Sequence, residues 1–293
     1  MFYRVTNNLL LLQALYQLGK QSRNLGRLQE QAASGRKILR ASDDPTGMMI
    51  SFRLLGQLNR FEQYKKNIDF GLRWLSYNEA VLNDLEENIT KAMEVAVSQA
   101  SDTANSDTRK ASAVFIRGLK QTVLQLANSN FEGRYIFAGL SGKEAYDEAG
   151  NFLGDRGVFQ ISIGEGVLVR INLTGPEVFG EDEENLIKAL DELAGFLEGN
   201  DPEGIRQMLD KLQINLDRVI EARSKIGALS SQLEGYKAIL DDKTIRVNSS
   251  LSEIVDADLA QVITELSSRQ LAYQATLLAV KRLFDETLIS LLR

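Results

Sequence analysis

Between Thr46 and about Ala100 the chain keeps one helical stripe without a stop. Leu54, Leu58, Phe61, Ile68, Leu72, Leu75, Leu82, Ile89, Met93 and Ala96 recur at spacings built from threes and fours, with Lys65, Glu79 and Glu86 filling the gaps in that register. A helix of this length runs about 80 Å at 1.5 Å per residue. That is too long for an ordinary globule and predicts an elongated bundle or coiled coil. A counterpart starts at Asp201-Pro202 and runs to about Asn248. It carries Ile205, Leu209, Leu212, Leu216, Val219, Ile226, Leu229, Leu233, Tyr236 and Leu240. The simplest packing sets these two long helices against each other.

The chain ends carry stripes of their own. Val5, Leu9, Leu12 and Tyr16, then Leu25, Leu28 and Ala32, mark the first helix, although Gly19 and Gly26 each weaken it by about 1 kcal/mol against alanine. Leu259, Val262, Leu266, Tyr273, Leu277, Val280, Phe284, Leu288 and Leu291 mark the last. Isolated helices are marginal in water, so these two need each other or neighbouring molecules. Leu9, Leu12, Leu259, Val262, Leu266, Leu277, Val280, Leu288 and Leu291 are therefore candidate assembly contacts. The plainer alternative is that they fill only an intramolecular core.

Each terminal stripe is set off by a break. Gly35 follows Ser34 where the first stripe fades, as at a helix C-terminus. Ser42-Asp43-Asp44-Pro45 then opens the long helix, with Asp43 or Asp44 able to cap free backbone N–H groups and Pro45 fitting the first helical position. The stretch "NSSLSEIVDAD", containing Asp256, is the matching interruption before the last helix. Asp43 and Asp44 could also be read as an acid pair. Adjacent residues at a helix start do not face each other, which favours the cap.

The middle differs. Residues 101–107, "SDTANSD", end the first long helix, and a helix to about Asn128 places Ala111, Phe115, Leu119 and Leu126 on one side. Phe159, Ile161 and Ile163, a turn at Gly164-Glu165-Gly166, then Val167, Val169, Ile171 and Leu173 predict a β-hairpin, and "GRYIFAG" (133–139) a further short strand. Residues 182–198 read as a short helix. The fold class is thus mainly α: an elongated antiparallel helical bundle or coiled coil formed by the N- and C-terminal halves, with a small β-rich insert. The expected domains are terminal coiled-coil segments (1–45 plus 249–293), a long-helix bundle (46–130 plus 181–248) and the insert (131–180).

Composition narrows the function. The chain has no histidine and no cysteine, which removes imidazole bases, thiol nucleophiles, disulfides and zinc sites built on those ligands. A net charge of −6 gives no basic footprint for nucleic acid. Leu9-Leu10-Leu11-Leu12 is far short of the ~20 residues that span a bilayer, and no cleavage site follows it, so neither membrane insertion nor a signal peptide is expected. The glycine-rich turns match no nucleotide-binding pattern. No catalytic, metal or cofactor site is expected. A carboxylate-dependent hydrolase using Asp43, Asp44, Asp256 and Asp258 is the remote rival, since it would need acids converging in a cleft.

"SGRKILRASDDPTGMMI" (34–50) resembles the N-terminal signature of bacterial flagellins and their relatives. "ARSKIGALSSQLE" (222–234), "SEIVDADLA" (252–260) and "QLAYQATLLAV" (270–280), closing in "LLR", resemble the C-terminal signature. Within that superfamily, "SDDP" in place of "DDA", and "GRYIFAG" leading into a compact insert, are most similar to the hook–filament junction branch. The resemblance implies a non-enzymatic, extracellular structural adaptor of the flagellum, exported through the flagellar secretion channel. It implies as partners the first hook-associated protein, flagellin, further copies of the chain and an export chaperone. The neighbouring alternative is a short flagellin that forms the filament itself.

Overall fold

The computed structural model describes residues 2–101 and 104–291, apart from the side chains of 2–8, 10, 11, 183 and 283–291. The fold is mainly helical, with two small antiparallel strand pairs in the middle. In chain order the elements are α1 (Phe2–Ser34), α2 (Pro45–Gln99), α3 (Ser106–Ala127), β1 (Asn130–Phe131), β2 (Arg134–Tyr135), β3 (Gln160–Gly164), β4 (Val167–Arg170), α4 (Gly175–Phe179), α5 (Leu186–Glu198), α6 (Pro202–Val255) and α7 (Leu259–Leu291). The chain divides into two compact units, residues 61–242 and residues 1–60 with 243–293.

In the 61–242 unit, α2 and α6 run antiparallel. Ion pairs fix the register: Lys65–Asp241 at 2.6 Å, Lys237–Asp69 at 2.7 Å and Arg223–Glu86 at 2.5 Å. Their seam is built on a seven-residue repeat. Ile68, Leu75, Leu82, Ile89 and Ala96 on α2, and Ile205, Leu212, Val219, Ile226, Leu233 and Leu240 on α6, are all buried. A strict heptad keeps one stripe facing the partner when the helices wind left-handedly around each other.

The α3 helix packs along α5, with Arg117–Glu198 (2.8 Å) and Lys120–Asp191 (2.9 Å) bridging them. Its buried face is not the expected one. Ala113, Ile116, Leu119, Val123 and Ala127 point inward, whereas Phe115 is 49% exposed. Two stripes overlap at Leu119, and the one containing small residues lets α5, with its own buried Ala189 and Ala194, approach closely.

The hairpin forms in the expected place. β3 and β4 pair Ile161 with Val169, and Gly166 takes the positive φ (+70°) that the turn requires. The hairpin rests on Gly71 of α2, where an added Cβ would lie 2.6 Å from the Ile161 side chain. Phe131 and Phe159 of the insert meet Phe70 and Trp74 of α2, all four cross-contacts having ring centroids within 6.4 Å. Of "GRYIFAG", only Arg134–Tyr135 is strand. Ile136, Phe137 and Ala138 are buried, and their carbonyls serve loop segments instead: Gly175 N–H donates to Phe137 O, and Asp155 N–H to Ala138 O.

Short α4 had no distinct signal, because its whole length is one capped turn. Glu177 accepts from the Thr174 N–H (2.7 Å) and hydroxyl (2.8 Å) and from Arg170 (2.5 Å). Burial pushes the Glu177 carboxyl up, but the Thr174 and Arg170 bonds outweigh it and hold the group below its usual range. A folded value below the unfolded one means that this contribution is complete above the unfolded value of about 4.5 and fades as pH falls through the folded value. Glu177→Gln should therefore flatten the acid limb of the stability–pH curve, as followed by thermal melts from neutral to acid pH.

In the unit of residues 1–60 and 243–293, α1 packs along α7, as their stripes predict. The two helices are the same length, 33 residues each. Correcting the expected stop near Asn248, α6 continues to Val255. The serines of "NSSLSE" lie on a helix whose apolar rhythm is continued by Leu251 and Ile254, so the true break is only Asp256 to Asp258.

Candidate assembly surface and the joint behind it

The acids at the breaks are engaged by local hydrogen bonds, most of them to backbone. Gly35 sits at φ +70° just past α1, its N–H donating to Gln31 O at 2.9 Å. Asp44 accepts from the Gly47 N–H at 2.9 Å, capping α2, with Pro45 as the first helical residue. Asp43 instead closes the preceding turn, accepting from the N–H groups of Arg40 (2.9 Å) and Leu39 (3.2 Å). Asp256 accepts from the Ser252 hydroxyl at 2.5 Å, and Asp258 caps α7 by accepting from Ala260 (2.9 Å) and Gln261 (3.1 Å). Asp44→Ala should cost about 1 kcal/mol in denaturant unfolding, the usual loss for a cap, with Asp44→Asn retaining most of it.

The two breaks meet, which their separate readings do not reveal. Lys37 N–H donates to Val255 O at 2.7 Å, and Ala257 N–H to Gly35 O at 2.9 Å, forming a short antiparallel bridge. Lys37 Nζ reaches Glu253 O at 2.6 Å, and Gln31 Nε2 donates to Lys37 O at 2.8 Å. Ile38 is buried, and the absence of a Cβ at Gly47 gives it room: an added Cβ would lie 2.6 Å from Ile38 Cδ1. Residues 35–44 are thus a seated strap. A groove of about 430 Å³ beside it is lined mainly by Ile38, Met48, Phe52, Leu55, Leu251 and Val255. Among the described residues no group of three or more acids is gathered as a metal site.

The candidate assembly residues divide. Val262 and Val280 are buried, 8% and 6% exposed, in the unit where α1 packs on α7. Leu266 is partly covered. Leu9, Leu12, Leu259 and Leu277 are exposed, at 56%, 64%, 46% and 43%. Leu288 and Leu291 fall on side chains outside those described. Further exposed apolar side chains on the same unit escaped sequence reading: Met49 and Phe52 on α2, Ile245 on α6, and Ile263, Leu271 and Leu278 on α7. Met49 and Phe52 stand three apart near the start of α2, a spacing that could have marked them as a helix-face pair.

Comparisons with known proteins agree with this architecture. The family model described as bacterial flagellin N-terminal helical region matches residues 5–141, and the one described as bacterial flagellin C-terminal helical region matches residues 208–292. Flagellar hook-associated protein 3 of Escherichia coli strain K12 is 27% identical over 273 residues, covering 84% of this chain and 86% of that protein. The protein of the same name from Salmonella typhimurium strain LT2 is 28% identical over 277 residues, covering 85% and 87%. In fold, the chain is similar to the solved flagellar hook associated protein-3 of Legionella pneumophila, with a TM-score of 0.63 and 13% identity over 69% of this chain and 98% of that one.

Proposed function

The chain belongs to the bacterial flagellin family, and we propose that it is a structural adaptor of the flagellum, joining the hook-associated layer to the flagellin filament. The observation that carries this reading is the likeness, over most of both chains, to two proteins named flagellar hook-associated protein 3. Its work is packing. The terminal helices fill their shared seam with residues such as Leu28, Val262 and Val280, and hold Leu9, Leu12, Leu259 and Leu277 outward. These leucines are about half exposed, so covering each adds roughly half of the ~1.5–3 kcal/mol of full burial, and several per subunit offset the cost of ordering side chains in the layer. Residues 1–45 and 249–293 supply the assembling ends, 46–130 and 181–248 the rigid helical support, and 131–180 an accessory insert.

The partners in this reading are the first hook-associated protein on one side, flagellin on the other, and further copies of the chain, with an export chaperone before assembly. The protein acts outside the cell, having left through the flagellar export channel. No helix among the described residues is long and apolar enough to cross a membrane. The acids that a hydrolase would need are committed as caps and turn closures, each to hydrogen bonds within a few residues of itself. Deleting the gene in its native cell tests the role. Hooks should persist while flagellin is released unassembled into the medium, and filaments of normal length on the deletion strain would contradict the proposal.

A further inference from the structure

Charge is divided unevenly along the chain. Residues 1–60 carry nine Lys and Arg against three Asp and Glu, residues 243–293 six against six, and residues 61–242 nineteen against thirty-one. Basic surface is therefore in excess near the start of the chain and acidic surface in the 61–242 unit. One stripe on each side concentrates the difference. On α1, Leu9, Leu12, Tyr16, Lys20, Arg23 and Arg27 follow at steps of three and four, so they share a face, and all six are exposed. Its first half is apolar and its second half basic. On α6, Asp210, Ile214, Asp217, Glu221, Ser224 and Ala228 follow by the same steps and are exposed as well. Here the first half is acidic around Ile214 and the second half small. Lys20, Arg23, Arg27 and Asp210 have no ionic partner among the described residues, and Asp217 has the Gln213 amide at 2.9 Å.

We propose that these two stripes form one interface between copies, with α1 of one copy lying antiparallel on α6 of the next. Only that direction matches the halves. Setting Arg27 opposite Asp210 brings Lys20 opposite Asp217, because both pairs stand seven residues apart. Arg23 then reaches Ile214, which its methylene stem can cover. The same register sets Leu9 over Ala228 and Leu12 near Ser224, where small side chains leave room for leucines. A parallel arrangement would press the leucines onto the carboxylates, which costs desolvation with no cation in return. A face that meets a different face is a heterologous contact, and such a contact repeats from copy to copy around a layer. The inference deepens the adaptor reading and rests on it for the layer. It does not rest on α1 being formed in the lone chain, since an α1 that gains its helix on a neighbour's α6 makes the same contacts.

The absence of cysteine makes the test direct. Arg27→Cys and Asp210→Cys are made as two separate full-length variants, mixed, added to complexes ending in the first hook-associated protein and oxidised. The mixture should give a disulfide-linked pair that neither variant gives alone, with a yield that falls as salt is raised, because exposed ion pairs are screened. Arg27→Cys mixed with Glu94→Cys, an exposed acid on α2, sets the background. Linking no greater than that background, in a layer visible by electron microscopy, overturns the proposal. Charge exchange gives a second reading. Lys20→Glu with Arg27→Glu, and separately Asp210→Lys with Asp217→Lys, should each weaken layer formation about tenfold, and all four changes in one chain should restore it. Half exchanges that assemble as well as the unchanged chain, or a full exchange as defective as its halves, overturn it too. If the unchanged chain forms no layer, the adaptor reading fails. The two cysteine variants are then oxidised in free solution at low salt, where the interface still requires the mixed disulfide and its absence overturns the docking.

Discussion

Leu9→Gln, Leu12→Gln and Leu277→Gln together are expected to abolish incorporation between the hook-associated layer and flagellin while leaving the circular dichroism of the monomer nearly unchanged. All three side chains are exposed on helices that already have a filled seam. Glutamine is a good helix former, so the local cost to each helix is small. What is lost is apolar area covered only by neighbouring molecules, roughly half of the ~1.5–3 kcal/mol of full burial for each leucine in each subunit, repeated around the layer. The contrasting variant is Val262→Gln with Val280→Gln. Those residues are buried in the terminal unit, so the pair should lower its helicity and exchange protection before assembly is tested. If the leucine triple variant still assembles, the contacts lie elsewhere, and Met49, Phe52 and Ile245 on the same unit are the next residues to change.

The second large effect lies in the 61–242 unit. Trp74 is 2% exposed and meets Phe70, Phe131 and Phe159 at ring-centroid distances of 6.3, 5.8 and 5.4 Å. It therefore fastens both strand pairs of the insert to α2. Trp74→Ala should cost about 3–5 kcal/mol in denaturant unfolding, the usual range for removing a buried large aromatic, and should expose the hairpin at 160–170 to proteases. Trp74→Phe should recover much of the stability, because the indole Nε1 has no hydrogen-bond partner among the described residues to lose. A loss below 1 kcal/mol for the alanine variant would mean that the insert is held by its own contacts, such as Phe137 with Phe179 at 5.2 Å.

Much of this fold is legible in the residues because its dominant order is periodic. A heptad from Ile68 to Ala96 and another from Ile205 to Leu240 need nothing beyond spacing to be read as facing helices. The hairpin is equally plain, since alternation on both sides of Gly164-Glu165-Gly166 sets which residues face the core. Reading fails where a choice depends on a partner distant in sequence. Helix α3 carries two plausible faces, and α5, some seventy residues on, selects the one without Phe115. The segment 249–255 looks like a break by composition, yet its end is set by the bridge to residues 35–37. The cap at the first break was legible because the Asp44–Gly47 bond spans only three positions, whereas at the second break the cap is Asp258, two residues past the Asp256 that the sequence singled out. The joint was not legible, because its bonds connect positions more than two hundred residues apart.

The same division holds for the assembly surface. The terminal stripes are visible as stripes, but a stripe does not say which of its members faces the intramolecular partner and which faces a neighbour. Val262 and Leu259 stand three residues apart on one helix, and one is covered while the other is open. Only the pairing of α1 with α7 separates them.

The most direct measurement of the adaptor account is seeded growth followed by electron microscopy. Purified chain is added to complexes ending in the first hook-associated protein, excess chain is washed away, and flagellin is then supplied. The account predicts a layer of limited height on the complexes, filament growth only from complexes that carry it, and no long filaments from the chain alone. Long filaments grown from this chain without flagellin, or flagellin filaments growing equally well from complexes that lack it, would contradict the account.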